Sequence, residues 1–325
     1  MRESALSEFE KSIPSSGETP AVSGIREKKE HVAMSEDHEK ELRLVERMRE
    51  AGRALSEAVI RAHPEREAIE RTYQQVEKEL AGEVTQLSEI ADPNDPNAPK
   101  NRPLRVRLES GREAVYKPRV REMSGLRIGI PDGGFANREW IAFQINRALG
   151  FDVVPPTILR DGPEGVGSVQ AWQKGRSATV APEWKEEKYK DAVERIALFD
   201  AVTRNTDRNA ENFLVADNDT SPESGIVGYD HGTILSQNVM DDVLRSTLLM
   251  PKKFGGLGGE PVSPEGRALL TSFLAASDVQ AALKQAFAVA FDDEHASEML
   301  WEIFIDDIQQ YARQNGRLPL SRSAA

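Results

Sequence analysis

An Asp five positions ahead of an Asn, followed by an apolar run, constrains this chain more than any other feature. It lies in Asn205-Thr206-Asp207-Arg208-Asn209-Ala210-Glu211-Asn212-Phe213-Leu214-Val215. The apolar residues after Asn212 read as a strand. About one short strand later a second apolar run, Ile226-Val227-Gly228, ends in Tyr229-Asp230-His231-Gly232. Asp, Asn and Gly are common turn residues, so the first cluster alone also fits an ordinary turn. Together, the two clusters set acidic and amide side chains beside short strands in a pattern suited to phosphoryl transfer. In that chemistry one Asp orients an attacking hydroxyl, while an Asn five residues on and a later Asp-x-Gly hold the metal.

Composition narrows the partners. With 42 Lys and Arg against 54 Asp and Glu, the net charge is −12. That disfavours nucleic acid as the main partner and weakens docking on an anionic membrane. The absence of cysteine excludes disulfides, zinc-thiolate sites and thiol nucleophiles, and fits a cytoplasmic location. No apolar run is long enough to span a bilayer, and the N-terminus lacks a signal-peptide plan.

Residues 1–34 are polar and aperiodic, as expected for a disordered tail. Residues 35–92 read as a helical hairpin or coiled-coil arm. Leu42, Val45, Met48, Leu55 and Val59 mark its first helix, and Ile69, Tyr73, Val76, Leu80, Val84 and Leu87 the second. Its charged flank reads first as a solvated face and second as a docking face for a protein partner. The Pro- and Asn-rich stretch at 93–99 is a linker, which predicts few contacts across it.

Residues 100–325 form the expected catalytic domain, with a small lobe over about 100–175 and a large lobe over about 176–325. Leu104 to Leu108 alternates as a strand, and Glu113 to Lys117 returns. Lys117 ends an apolar strand. It reads either as a phosphate-binding Lys or as a Lys protecting a sheet edge. Residues 125–134 make a Gly-rich loop that matches neither nucleotide fingerprint. Asn137 is the expected cap of a helix over 138–149. Glu139 in its first turn serves either the helix dipole or an ion pair to Lys117. Strands follow near 153–159 and 168–172, so that Gln170 and Trp172 fall at the expected hinge, although Trp172 fits a core position equally well. The remainder is helical, with the acids at 292–294 expected to cap a helix and the Gly-rich run at 252–259 a candidate substrate loop.

The segment from Asn205 to Asn212 resembles the catalytic loop of phosphatidylinositol 3-/4-kinase-like enzymes, and Tyr229-Asp230-His231-Gly232 resembles their metal-binding segment. Val115-Tyr116-Lys117-Pro118, Arg138-Glu139, the stretch from Val154 to Pro163 and Gly167-Ser168-Val169-Gln170 are similar to a bacterial branch of that superfamily, common in actinobacteria. The similarity covers roughly residues 100–310.

The resemblance implies a two-lobed, protein-kinase-like α+β fold with a small β-rich lobe and a helical large lobe, preceded by the helical hairpin. It implies transfer of the ATP γ-phosphate to a hydroxyl of a protein, lipid or small molecule. Lys117 would contact the ATP phosphates and Glu139 would pair with it, Asp207 would be the catalytic Asp, and Asn212 and Asp230 would bind Mg2+. Gln170 and Trp172 would border the adenine. Many lipid kinases have His where this chain has Asn209; His231 is a candidate substitute or a packing residue. A pseudokinase scaffold and an AMP-transferring enzyme are the alternatives.

Overall fold

A computed structural model describes residues 35–90, 101–125, 127–216, 225–238, 244–252 and 255–321. The expected tail and the linker at 93–99 lie outside these residues, as does part of the 252–259 run.

Five strands build the larger sheet: β1 (Val84–Glu89), β2 (Leu104–Leu108), β3 (Glu113–Pro118), β4 (Thr157–Gly162) and β5 (Gly165–Ala171), in the antiparallel order β1-β2-β3-β5-β4. Since β3 is central, Lys117 is not an edge residue. Alternation along the strands sorts the sheet into two faces. Leu104, Val106, Leu108, Ala114, Tyr116, Val169 and Ala171 form one apolar cluster. The opposite face carries Arg105, Arg107, Val115, Lys117, Ser168 and Gln170, with the pairs Arg105–Val115, Lys117–Ser168 and Val115–Gln170 directly across from one another.

The N-terminal residues form helix α1 (Glu36–Ala62) and helix α2 (Glu67–Leu80), with Ser35 capping α1. Three corrections apply to the arm. First, Val84 and Leu87 belong to strand β1, not to a helical seam. Gly82 follows the end of α2, and an irregularity of pairing between Val84 and Gln86 lets two residues three apart pack on the same apolar cluster from a strand. Second, the sheet therefore begins upstream of residue 100.

Third, contacts to the rest of the chain are extensive. Val76 and Leu80 cover the apolar face of the sheet, and Val45, Met48, Leu55 and Val59 enter the main core. Tyr73 packs edge-on against Phe143 at 5.3 Å, while Arg66 pairs with Asp152 at 2.7 Å. Arg147, fully buried, lies 3.0 Å from the equally buried Glu70 and 2.8 Å from Glu77. Removing two charges from water demands such pairing.

Helix α3 (Gly134–Leu149) crosses between sheet and helices, and all 16 of its residues are buried. It starts earlier than the sequence suggests. Gly133, at φ +75°, makes the left-handed entry, and the Glu122 carboxylate accepts from the amides of Phe135 and Ala136. Asn137 is not the cap: its amide donates to the Ala290 carbonyl. Glu139 sits in the second turn, past the reach of the dipole reading.

After β6 (Gly175–Ser177) come α4 (Lys190–Val202), β7 (Phe213–Ala216) and β8 (Ile226–Gly228), with β6, β7 and β8 forming a small antiparallel sheet. Helices α5 (Pro264–Ala275), α6 (Ser277–Ala290) and α7 (Glu294–Ala312) complete the helical lobe. Asp293 caps α7, as the acidic run at 292–294 suggested. The two-lobed α+β arrangement is thus present. No helix among the described residues is long and apolar enough to cross a membrane.

Candidate active site

Lys117 leaves the open face of β3 and meets Glu139 of α3. Its Nζ donates to Glu139 Oε1 and, at 2.8 Å, to Asp230 Oδ1. The Glu139 side chain is 2% exposed and that of Asp230 49%, so the cluster opens on the Asp230 side. Burial pulls the Lys117 ammonium down, but Asp230 and Glu139 outweigh it and hold the group above its ordinary value. The Lys117 charge keeps the Asp230 carboxyl below the usual carboxylate range, against burial. Burial pushes Glu139 up, and Lys117 offsets this only in part. Lys117 is therefore a fixed cation.

Asp230 has φ +57°, and Arg204, just ahead of the 205–212 loop, has φ +50°. Left-handed backbone in non-glycine residues concentrates where a site dictates the chain path, and Asp tolerates it better than most.

Asp207 and Asn212 approach from the loop between α4 and β7. Asn212 Nδ2 donates to the Asp207 carbonyl at 2.8 Å, which fixes the amide orientation and leaves its Oδ1 as the outward acceptor. Asp207 is half-exposed. Burial raises its carboxyl above the ordinary value, Arg127 opposes the shift and Asp230 adds to it. A raised pKa suits a group that must take up a proton.

The two polar segments are joined by a residue that the sequence pattern hides. Arg208, fully buried, donates from Nε to both oxygens of Asp200 (3.1 and 3.2 Å) and from Nη1 to the carbonyls of Asn212 (2.5 Å) and Tyr229 (2.7 Å). Its Nη2 donates to His231 Nδ1 (3.0 Å). One guanidinium thus ties α4, the 205–212 loop and the Asp230 segment together. Its fork of donors suits that task where a Lys would not. Asp200 also accepts from Asn205 and Ser246, so each of its oxygens is satisfied.

Because Arg208 can only donate, His231 Nδ1 must accept, which places the ring proton on Nε2. Burial and then Arg208 push the His231 pKa well below the ordinary value, and the ring packs edge-on against Phe199. His231 is a neutral packing and acceptor residue, not a substitute proton carrier. Asn209 is exposed and its Oδ1 accepts from the Glu211 amide, a turn-making role.

Gln170 and Trp172 stand apart from this cluster at the end of β5. Gln170 is buried and donates to Thr157 Oγ1 at 3.0 Å. The Arg105 guanidinium lies 4.6 Å from the Trp172 ring centre. Among the described residues, no three His, Asp or Glu side chains converge as a metal site. Asn212 and Asp230 instead offer one amide and one carboxylate oxygen. That donor set suits Mg2+ shared with ligand phosphates, which needs only one or two protein oxygens.

No protein-family model matches the chain. "Protein Rv2133c" of Mycobacterium tuberculosis is 47% identical over 60 residues, covering 18% of this chain and 20% of that protein. The chain thus matches about a fifth of that relative's length. Among solved structures, the Helicobacter pylori proinflammatory kinase CtkA overlaps 68% of this chain and 94% of its own, at 12% identity and a TM-score of 0.42. A Golgi casein kinase with Mn and ADP bound overlaps 78% and 81%, at 13% identity and a TM-score of 0.34. The kinase-like arrangement stands on the strand, helix and loop geometry above, not on these overlaps.

Proposed function

We propose that the protein is an ATP- and Mg2+-dependent phosphotransferase of the phosphatidylinositol 3-/4-kinase-like superfamily, passing the γ-phosphate to a hydroxyl. The supporting observation is the Lys117 ammonium bridging Glu139 and Asp230 beside Asp207 and Asn212. A merely structural lysine has no need of a half-exposed second carboxylate. In this reading Lys117 holds the nucleotide phosphates and Glu139 positions Lys117. Asp207 orients the acceptor hydroxyl and takes its proton, and Asn212 and Asp230 hold Mg2+, which offsets the phosphate charge when bound. Gln170 and Trp172 border the adenine.

The acceptor is a protein or small hydroxyl compound in preference to a membrane lipid, given the −12 net charge. A nucleotide-binding scaffold is the second reading, favoured by Asn209, whose side chain is spent on a turn. The deciding experiment is product mass after incubation with Mg-ATP and separate protein, polyol and phosphoinositide-vesicle acceptors. A phosphate increment on one acceptor, lost in Asp207→Asn, supports the proposal. An AMP increment replaces it with adenylyl transfer, and nucleotide binding without any product replaces it with the scaffold.

A further inference from the structure

The loop between β3 and α3 does more than connect them. Glu122 closes it on the N-terminus of α3, and Ser124 donates to Asp132 at 2.9 Å. The Gly129 carbonyl accepts from the Gln237 amide at 3.0 Å, and the Ser236 hydroxyl donates to the Ile128 carbonyl at 3.4 Å. The loop therefore rests on the segment just after Asp230-His231-Gly232. Gly129 is required there: its φ is +82°, and a Cβ would collide with Asn238 and Ser236. These anchors deliver Arg127, whose Nη2 lies 3.5 Å from Asp207 Oδ1 with the side chain 32% exposed.

Two cations thus form ion pairs with the carboxylates of the cluster. Lys117 is committed to Glu139 and Asp230, and Arg127 stands at Asp207. The other arginines of the loop are engaged elsewhere, Arg119 with Glu41 and Asn137, Arg121 with Glu89 and Glu164.

We infer that Arg127 is the phosphate-clamping cation of the acceptor end, leaving Asp207 to hold the γ-phosphoryl oxygens of bound ATP as transfer proceeds. This inference rests on the phosphotransferase reading. In the step, the acceptor oxygen bonds to the γ-phosphorus as the bond to the β–γ bridging oxygen breaks. That bond's electron pair leaves with ADP, and the acceptor proton goes to Asp207. A cation at the Asp207 end meets the phosphoryl best when it is between donor and acceptor, so its stabilisation is greatest in the transition state. Its departure also frees the carboxylate oxygen that the acceptor hydroxyl must reach.

The test compares wild type with Arg127→Gln and Arg127→Lys, by calorimetric titration of Mg-ADP and of Mg plus a non-hydrolysable ATP analogue, and by ATP turnover with water as acceptor. Arg127→Gln should bind ADP within about twofold of wild type. It should bind the analogue roughly tenfold or more weakly and turn over about 10²-fold more slowly, and Arg127→Lys should recover part of both losses. Equal weakening of both nucleotides would make Arg127 a loop support, while unchanged analogue binding with faster turnover would make it a plug. Either result overturns the inference alone. Failure of the wild type to bind ADP overturns the phosphotransferase reading and this inference with it.

Discussion

Replacing Arg208 with Met tests the claim that one guanidinium joins the two halves of the site. The substitution leaves Asp200 buried with no counter-ion, deprives the Tyr229 carbonyl and His231 Nδ1 of the Arg208 donor, and leaves the Asn212 carbonyl with the Tyr229 amide alone. Breaking a fully buried ion pair from one side costs about 3–5 kcal/mol. For a chain of this size 1 kcal/mol moves the melting temperature by about 2 °C, so a fall of about 6–10 °C is expected. Arg208→Met combined with Asp200→Asn removes the stranded charge while keeping an acceptor for Asn205 or Ser246, and should recover about half of the loss.

The pH dependence supplies a second signature. Burial already raises Asp200, and without Arg208 it rises further. A carboxyl with a raised folded pKa binds more protons folded than unfolded, so stability falls as pH rises from the unfolded value of about 3.9 through the folded one. The single variant's deficit should therefore shrink on acidification, and the double variant's should not. The assay is a melting series run upward from about pH 4, close to the unfolded carboxyl value. A single variant within about 2 °C of wild type, or a double variant no better than the single, refutes the reasoning.

Mg-ATP at about 100 times its dissociation constant should stabilise the wild type by roughly 2.7 kcal/mol, and ATP alone by much less. In a thermal-shift titration Asp230→Asn should lose most of the magnesium-dependent part, whereas Asp207→Asn should keep binding and lose transfer. Deletion of residues 1–92 should abolish the cooperative melt seen by calorimetry, because it strips α1 and α2 from the core, removes β1 and leaves Arg147 buried without Glu70 and Glu77. His231 has a depressed folded pKa, so the unfolded state binds the extra proton. Stability should fall as pH drops below about 6.5, and His231→Gln, which keeps an acceptor for Arg208, should flatten that acid limb in denaturant melts.

Lys117, Glu139, Asp207, Asn212 and Asp230 stood out in the sequence for their places beside apolar runs; the structure joins Lys117, Glu139 and Asp230 directly and ties Asn212 to the Asp207 carbonyl. Arg208 and Arg127 did not stand out. A charged residue in a polar loop looks solvated until its acceptors, which come from α4, the Asp230 segment and Asp207, are placed in space. The arm shows the same limit. Periodicity revealed that α1 and α2 each bury a face, but not that the burying surfaces were the sheet and the helical lobe. A Pro- and Asn-rich stretch marks a break in regular structure, and says little about contacts made on either side of it.

The burial of α3 carries a consequence for control. A helix that presents Glu139 to Lys117 can serve as an on–off element only if it has room to swing. Here α1 and α6 press on α3 from the helical side and the sheet from the other, with Arg147 and Asn137 pinned at depth. Swinging it outward would strand a buried guanidinium and open a void in the core, a penalty of several kcal/mol. The Lys117–Glu139 pair is thus held in place by the packing of the core around α3. On the phosphotransferase reading, control would then fall to ligands that meet the Asp207 and Asp230 carboxylates instead of to effectors that rotate a helix.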